Sequence, residues 1–504
     1  MPAPAPLLAL LAFLPGGDPL WRDPRTVRTL GLAVLGTEGA PPRANAGRVV
    51  FLAALPDGEE WNAALDLLAG ERRPREVVRF SWNRLGEAFA ALQALEPQFV
   101  VVFTDPRELD ANRHFDFLER ASRLDADPFL DFAFGYVTAA TPSEAKAFAE
   151  NILRSEAKGA PRRILEFGPG DSNDFSGFAR DPLARGFERA RLTHRSTPWL
   201  LERQGRRFAG CAVLSASGHG MPEGVSGGLR ARELRASAID LFPALYFSGP
   251  CYCGVTSRWF DPSGGRIHTR ELDPLETFSL AAIARGATAV FGGLDPDRGE
   301  TNQQELETLL SQGCTLGEVA KSTYDDVVLG YRREPFSLVR YEEGRPAPQE
   351  DILDTMLTGG ACRVLLGDPT VRPFEKAMEP PWKTRIEAGK ATLAVVAEAG
   401  ERISSTWTPV NVYHAGGTLT HQVRVTLELD EDLARGLGDL REVFFEKDAR
   451  PGPVAFATAG IERYLGRTRL HLLAVLPGEG ENRALADGRR FRARFVLDRD
   501  GQGK

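Results

Sequence analysis

The chain offers little that would tie it to a membrane, a disulfide scaffold or a nucleic acid. Its leading apolar run, Leu7–Leu14, is eight residues long, against the roughly 20 a membrane-spanning helix needs, and no later segment approaches that length. There are five cysteines, at 211, 251, 253, 314 and 362; few and odd in number, they imply no disulfide framework. Positive charge is not in excess. With 62 Lys and Arg against 69 Asp and Glu, the net charge is −7, which argues against the basic footprint of a nucleic-acid binder. Short basic clusters, Arg72-Arg73-Pro74-Arg75 and Arg203-Gln-Gly-Arg206-Arg207, read as solvated surface. Low-complexity tracts and internal repeats are also lacking. What is there is globular: 42% hydrophobic and 26% charged residues suit packed domains, and 504 residues are too many for one core, suggesting two to four domains.

Two stretches stand out. Cys211-Ala-Val-Leu-Ser-Ala-Ser-Gly-His219-Gly220 and Pro243-Ala-Leu-Tyr-Phe-Ser-Gly-Pro-Cys251-Tyr-Cys253-Gly254 are each an apolar run of strand length that ends in small residues and a reactive side chain. Such runs suit buried parallel strands, and in open α/β sheets functional groups collect beyond the carboxyl ends of the strands. If the two strands are neighbours, an imidazole and a thiol meet at one rim, as a Cys-His nucleophilic hydrolase requires. His219 would lower the thiol pKa or take its proton. The backbone N–H groups of Gly220 and Cys251 would form an oxyanion hole. Taken singly, Cys251 is a packed core cysteine and His219 a loop histidine; it is the pairing at two strand ends that points to chemistry. Cys253 is a rival nucleophile two residues on.

The pattern resembles the caspase-like cysteine peptidases, and its surroundings resemble the gingipain branch. Over residues 95–376, Pro97-Gln-Phe-Val-Val-Val-Phe-Thr-Asp105 is similar to the family's Pro-Asp-Tyr-Val-Leu-Leu-Val-Gly-Asp strand. Phe129–Tyr136 followed by Thr141-Pro-Ser-Glu144-Ala, Leu275-Glu276-Thr-Phe278, Arg285–Gly292, Leu316-Gly-Glu318-Val-Ala and Leu365-Leu-Gly-Asp368-Pro369-Thr370 are similar to its later signatures, in the same order. The resemblance implies that Cys251 is the nucleophile and His219 its partner, since the family's C-x-x-G favours Cys251 over Cys253. It implies a polypeptide substrate and a caspase-like α/β fold. Two departures are Tyr136, where an Arg is usual, and Met221-Pro-Glu-Gly-Val, where an aromatic often follows His-Gly. A catalytically inert relative that binds or scaffolds, and a hydrolase of non-peptide acyl bonds, are the alternative readings.

Other motifs add less. Phe167-Gly-Pro-Gly170-Asp-Ser lacks the Lys-Ser/Thr of a phosphate loop and the spacing of a dinucleotide fingerprint. Glu166, Asp171 and Asp174 lie there and are candidates to orient the imidazole or to receive a basic substrate residue; solvated loop acids are the simpler reading. Asp295-Pro-Asp297-Arg-Gly-Glu300 has oxygens at calcium-like spacing but not the EF-hand loop, and reads as an acidic turn. No cofactor is implied. His414, His421 and His471 share no metal-ligand spacing and read as surface or strand-packing residues.

Along the chain, residues 1–45 read as a leader or loose arm. Residues 46–158 form an N-terminal α/β unit, with strands at 48–55, 77–80 and 99–103, helices at 59–68 and 85–95, and a helix from Pro142 to about Arg154 opened by a Thr141/Glu144 capping box. Lys158–Pro161 is a linker. Residues 159–378 form the catalytic α/β unit, so that the body is a parallel sheet covered on both faces. After Pro380, strands at 392–396, 410–413, 423–429, 470–475 and 491–497, without amphipathic helices between them, indicate a β-sandwich over 385–504; an Ig-like module is what the resemblance implies. Leu7–Leu14 has the length of a signal-peptide core, without a preceding Lys or Arg or a clean cleavage site. The secreted gingipain relatives imply a secreted or cell-envelope protein rather than a cytoplasmic one.

Overall fold

The computed structural model describes residues 33–34, 49–56, 59–159, 161–180, 187–195, 197–225, 229–295, 303–346, 360–374, 383–389, 391–399, 409–410, 420–429, 431–434, 436–447, 450–451, 454, 456–464, 467–476 and 491–499. One twelve-stranded sheet organises the body. Its main strands are β1 (Val49–Ala54), β2 (Glu76–Arg79), β3 (Phe99–Thr104), β4 (Ala133–Val137), β5 (Arg163–Pro169), β6 (Glu188–His194), β7 (Val213–Ala216), β8 (Leu245–Ser248), β9 (Ala289–Gly293) and β10 (Arg363–Leu366). They lie in the order β2-β1-β3-β4-β10-β9-β8-β7-β5-β6. The Val- and Phe-rich runs make the central strands: all of Phe99–Thr104 and Ala133–Val137 is buried, so both faces of the sheet are covered, as parallel strands require.

Every neighbouring pair among these ten is parallel except β9–β10, where Gly293 faces Arg363 and Val290 faces Leu366 in antiparallel register. The last strand, β10, therefore runs with β1–β4 and against β5–β9. This reversal has a consequence for the site. The start of β10 lies beside the carboxyl ends of β8 and β9.

Helices α1 (Glu59–Arg72), α2 (Leu85–Leu95), α3 (Ala111–Ala121) and α4 (Pro142–Lys158) come from the first part of the chain, and α5 (Thr197–Gln204), α6 (Ala231–Ala236), α7 (Phe278–Ala284), α8 (Gln303–Ser311) and α9 (Leu316–Tyr331) from the second, with α9 packing back against β4 and β10. The capping box expected at Thr141 is half formed: Thr141 accepts from the Glu144 N–H at 3.3 Å, but the Glu144 carboxylate turns to Arg235. The complete box caps α9. Glu318 N–H meets Thr315 Oγ1 at 3.2 Å and Glu318 Oε2 receives Thr315 N–H at 2.8 Å, which is the local reason for a Glu after Leu316-Gly317. Among the described residues no helix is long and apolar enough to cross a membrane.

The Gly-Asp-Pro turn after β10 also has a structural task. Asp368 is fully buried; it accepts Arg72 Nε at 2.7 Å, Thr370 N–H at 2.9 Å and Thr370 Oγ1 at 2.8 Å. Arg72 is thereby corrected from solvated surface to a buried tie, since it also reaches Glu156 at 2.8 Å. Burial opposes its charge, but the two carboxylates hold the guanidinium above its ordinary pKa.

Beyond the body lie two antiparallel sheets built from β11 (Lys383–Ala388), β12 (Thr392–Ala399), β13 (Thr420–Leu429), β14 (Leu437–Lys447), β15 (Phe456–Tyr464), β16 (Arg467–Leu476) and β17 (Phe491–Arg499). One has the order β11-β12-β17-β14 and the other carries β13-β16-β15. Strands β11, β14 and β15 escaped the sequence reading. Strand β14 carries register shifts between Leu437 and Glu442 that break its alternation, and β15, paired without a break to β16, carries Gly460 at the point where a Cβ would collide with the Phe129 ring. Ala33–Val34 pairs in parallel with Val425–Thr426, so the N-terminal arm is not loose at that point. The proposed leader, His414 and the turns at 415–417 and 477–480 lie outside the described residues.

Candidate active site

The two stretches singled out above become neighbouring parallel strands. Val213 faces Leu245 and Ala216 faces Ser248 across β7 and β8, and Gly249 N–H continues the ladder to Ala216 O at 3.2 Å. Both chains then leave the same edge of the sheet. Gly218 takes φ 113°, a conformation that costs a residue without Cβ little, and turns the chain so that Gly220 lies against the Cys251 loop. A Cβ on Gly220 would collide with the Cys251 carbonyl oxygen and stand 2.6 Å from Pro250 Cβ and 3.0 Å from Cys251 N. Only glycine permits this approach, which brings together the two backbone segments expected to donate to an oxyanion.

The side chains differ in access. His219 is exposed and Cys251 half-buried. Cys253 is 0% exposed, facing inward: burial, and then the neighbouring Cys253, push the Tyr246 phenol well above its ordinary range. All five cysteines carry thiols. A reagent arriving from solvent meets Cys251 and not Cys253. The loop between them is a tight turn, with Tyr252 at φ 57°, a left-handed conformation uncommon for a non-glycine residue. Tyr252 N–H donates to Asp295 O at 3.2 Å, Gly254 N–H to Gly293 O at 2.8 Å, and the Tyr252 ring sits edge-on to Trp259 at 4.8 Å.

The three candidate acids go separate ways. Glu166 is within β5, opposite Ser215, and is engaged by Arg189, which also binds the buried Glu307; it is therefore a strand residue in an ion-pair network. Asp174 accepts its neighbour's N–H, Phe175, at 2.7 Å and is exposed. Asp171 is exposed on the loop after β5, the strand next to β7, and of the three it alone follows a strand at the rim. Ser217, which precedes Gly218, stands in the space a Cβ on Gly168 would fill, so this loop lies beside the His219 loop.

Asp295 departs from the acidic-turn reading. It is 5% exposed; its carboxylate accepts the Tyr341 hydroxyl and lies 4.0 Å from Cys362 Sγ, and its carbonyl accepts Tyr252 N–H of the Cys251 turn. Positions 296–300 lie outside the described residues. Arg363, fully buried at the start of β10, donates Nη1 to Ser248 O at 2.6 Å. Arg363 carries no sequence signal, and the acidic motif at Asp295 does not point to this place. Arg363 acquires its place because β10 runs against β9, and Asp295 acquires its own by following β9, the parallel neighbour of β8.

A second cluster of ionisable groups joins α9 to β15 and β16. Lys321 Nζ lies 2.6 Å from both Asp325 Oδ2 and Glu462 Oε1. His471 bonds Glu462 Oε2 through Nε2 at 2.7 Å and Thr426 Oγ1 through Nδ1 at 3.0 Å, and stacks on Phe129 at 4.7 Å. Ligand atoms of Asp325, Glu462 and His471 lie within 4.8 Å of one another, as in a metal site. The Lys321 ammonium, however, already supplies the cation. Burial alone would raise the Glu462 carboxyl, yet Lys321 and His471 hold it well below the usual range. His471 is thus a packed strand histidine with a specific partner.

No family model and no curated protein matches this chain. Two solved structures are similar to it. One, described as "Structure of Protease", has a TM-score of 0.44 at 12% identity, covering 86% of this chain and 95% of that one. The other, the complex of Porphyromonas gingivalis RgpB pro- and mature domains, has a TM-score of 0.41 at 12% identity, covering 88% of this chain and 99% of that one.

Proposed function

We propose that the chain is a cysteine endopeptidase whose nucleophile is Cys251 and whose proton carrier is His219, with a C-terminal Ig-like module after the catalytic body. The observation that carries this reading is the parallel register of β7 and β8, with Gly220 packed onto the Cys251 backbone. The thiolate of Cys251 attacks the peptide carbonyl carbon, and the backbone N–H groups of Gly220 and Cys251 take up the charge that develops on oxygen. As the C–N bond breaks, imidazolium His219 gives its proton to the leaving amine. Water then attacks the thioester with neutral His219 as base, releasing the carboxylic acid and returning the thiol. Asp171 is the rim acid available to orient His219 or to meet a basic substrate residue.

A peptidyl acyloxymethyl-ketone probe tests this directly. Covalent mass on the peptide carrying Cys251, lost in His219→Ala, is the expected result. Mass on Cys253 would reassign the nucleophile. Equal modification of every accessible thiol, unchanged by His219→Ala, would favour an inert binding or scaffold protein.

A further inference from the structure

We infer that Arg363 is a positioning residue for the nucleophile turn: its buried guanidinium, together with the Gly293 carbonyl opposite it, holds both ends of the segment that presents Cys251. The inference rests on the assignment of Cys251 made above.

The geometry is a clamp built at the strand reversal. Arg363 and Gly293 are register partners across the antiparallel β9–β10 pair. From this pair the Arg363 side chain reaches to Ser248 O, three residues before Cys251 (2.6 Å), while Gly293 O accepts the N–H of Gly254, three residues after it (2.8 Å). Between these points Asp295 O accepts Tyr252 N–H at 3.2 Å. On the other side, Gly249 N–H is tied to Ala216 O of the histidine strand at 3.2 Å. Ser248 O and Gly249 N–H, consecutive in the chain, are thus held from opposite sides.

The turn needs holding. Tyr252 adopts φ 57°, and a non-glycine residue keeps such a backbone only where its surroundings over-determine it. Arginine suits the task better than lysine because its planar fork can hold a carbonyl while its faces pack on rings. Here the guanidinium carbon lies 5.0 Å from the Phe247 ring centroid and 5.9 Å from that of Phe291, so β8 and β9 each contribute an aromatic wall. The backbone of Arg363 is anchored as well: its carbonyl accepts the Tyr324 hydroxyl at 2.6 Å. A positioning residue of this kind touches no substrate. It sets the direction from which the sulfur faces His219, and small displacements of a nucleophile are costly to rate.

The test compares Arg363→Lys, Arg363→Gln and Arg363→Met with the wild type in the full chain. Three measurements are made on variants with cooperative melts: amide hydrogen exchange of the peptide spanning 248–255, the pH profile of iodoacetamide alkylation at Cys251, and kcat against KM for a peptide substrate. The expected result is faster exchange confined to 248–255, with the order Met greater than Gln greater than Lys. Alkylation at Cys251 slows near neutral pH in the same order, and kcat falls about tenfold or more in Arg363→Met with little change in KM. Lys, which keeps charge and a donor, recovers most of the loss. If Met does not fold, the Gln and Lys variants decide alone. Exchange and alkylation equal to wild type in the folded variants, with only Tm lowered, overturn the inference and make Arg363 an ordinary core residue. Exchange and alkylation need no peptidase activity, so a chain that cleaves nothing leaves this inference testable while the catalytic reading fails.

Discussion

The rim at Cys251 and the interface at Lys321 carry similar chemical vocabulary and use it in opposite ways. The interface is the richer in ionisable groups, with an ammonium, two carboxylates and an imidazole within hydrogen-bond reach, all buried. Each group there has its charge or lone pair answered by another, and Phe129 closes the top. The rim has a half-buried thiol and an exposed imidazole among glycines. Saturated bonding in a dry interior makes structure. Reactive groups left accessible at a strand end are placed where a site can form. On the catalytic reading proposed above, exposure rather than density of titratable residues marks the site in this molecule.

The comparison breaks most visibly if the two regions are mutated in parallel. Cys251→Ala and His219→Ala should each remove peptide cleavage by orders of magnitude, while stability by denaturant titration stays within about 0.5 kcal/mol for the exposed His219. Lys321→Met should do the reverse. Removing the ammonium leaves the buried Asp325 without its cation and Glu462 with His471 and the more distant Arg469, at a cost of about 3–5 kcal/mol, with alkylation at Cys251 unchanged in whatever fraction remains folded. Cleavage surviving Cys251→Ala, or a neutral Lys321→Met, would undo the contrast.

A smaller effect concerns pH at the same interface. Burial pushes the Asp131 carboxyl up to about 8, with Asp125 and Asp127 adding to the shift, and Asp127 is pushed up to about 7. A folded pKa above the unfolded one means more protons bound in the native state, so this contribution is present below about pH 4 and is lost as pH rises through 8. Asp131→Asn, which keeps an acceptor for Leu124 N–H (3.2 Å), should therefore gain on the wild type in Tm as pH goes from 4 to 8. A difference independent of pH would show that Asp131 titrates normally. The smallest effect is expected from metal. Because Lys321 occupies the cation position, dialysis against a chelator or addition of Zn²⁺ should leave Tm within about 1–2 °C; a larger shift would mean that the cluster binds metal after all.

Much of the body was legible because its strands are buried on both faces and so read as unbroken apolar runs. Phe99–Thr104 and the helix at Leu85–Leu95 fall where composition puts them. Caps read less well. Thr141 and Thr315 both head a helix with Glu at the third position, yet only Glu318 returns to its cap, because Arg235 claims Glu144. In the C-terminal sheets the alternation rule fails at β14, where register shifts override it, and at β15, where Gly460 replaces a side chain against the Phe129 ring.

By itself, the sequence determined that a thiol and an imidazole end two apolar strands, since strand length, small residues and turns are local properties of neighbouring side chains. It also determined that the chain alternates strand with helix and then turns to strands alone. Only the tertiary structure decided that the two strands are adjacent, that Cys251 has access and Cys253 does not, and that Glu166 belongs to Arg189. It alone placed Arg363 and Asp295 beneath the Cys251 turn. Such facts depend on pairings between residues far apart in the chain, and above all on β10 entering the sheet against the direction of β9. No local pattern of residues encodes which strand will lie beside which.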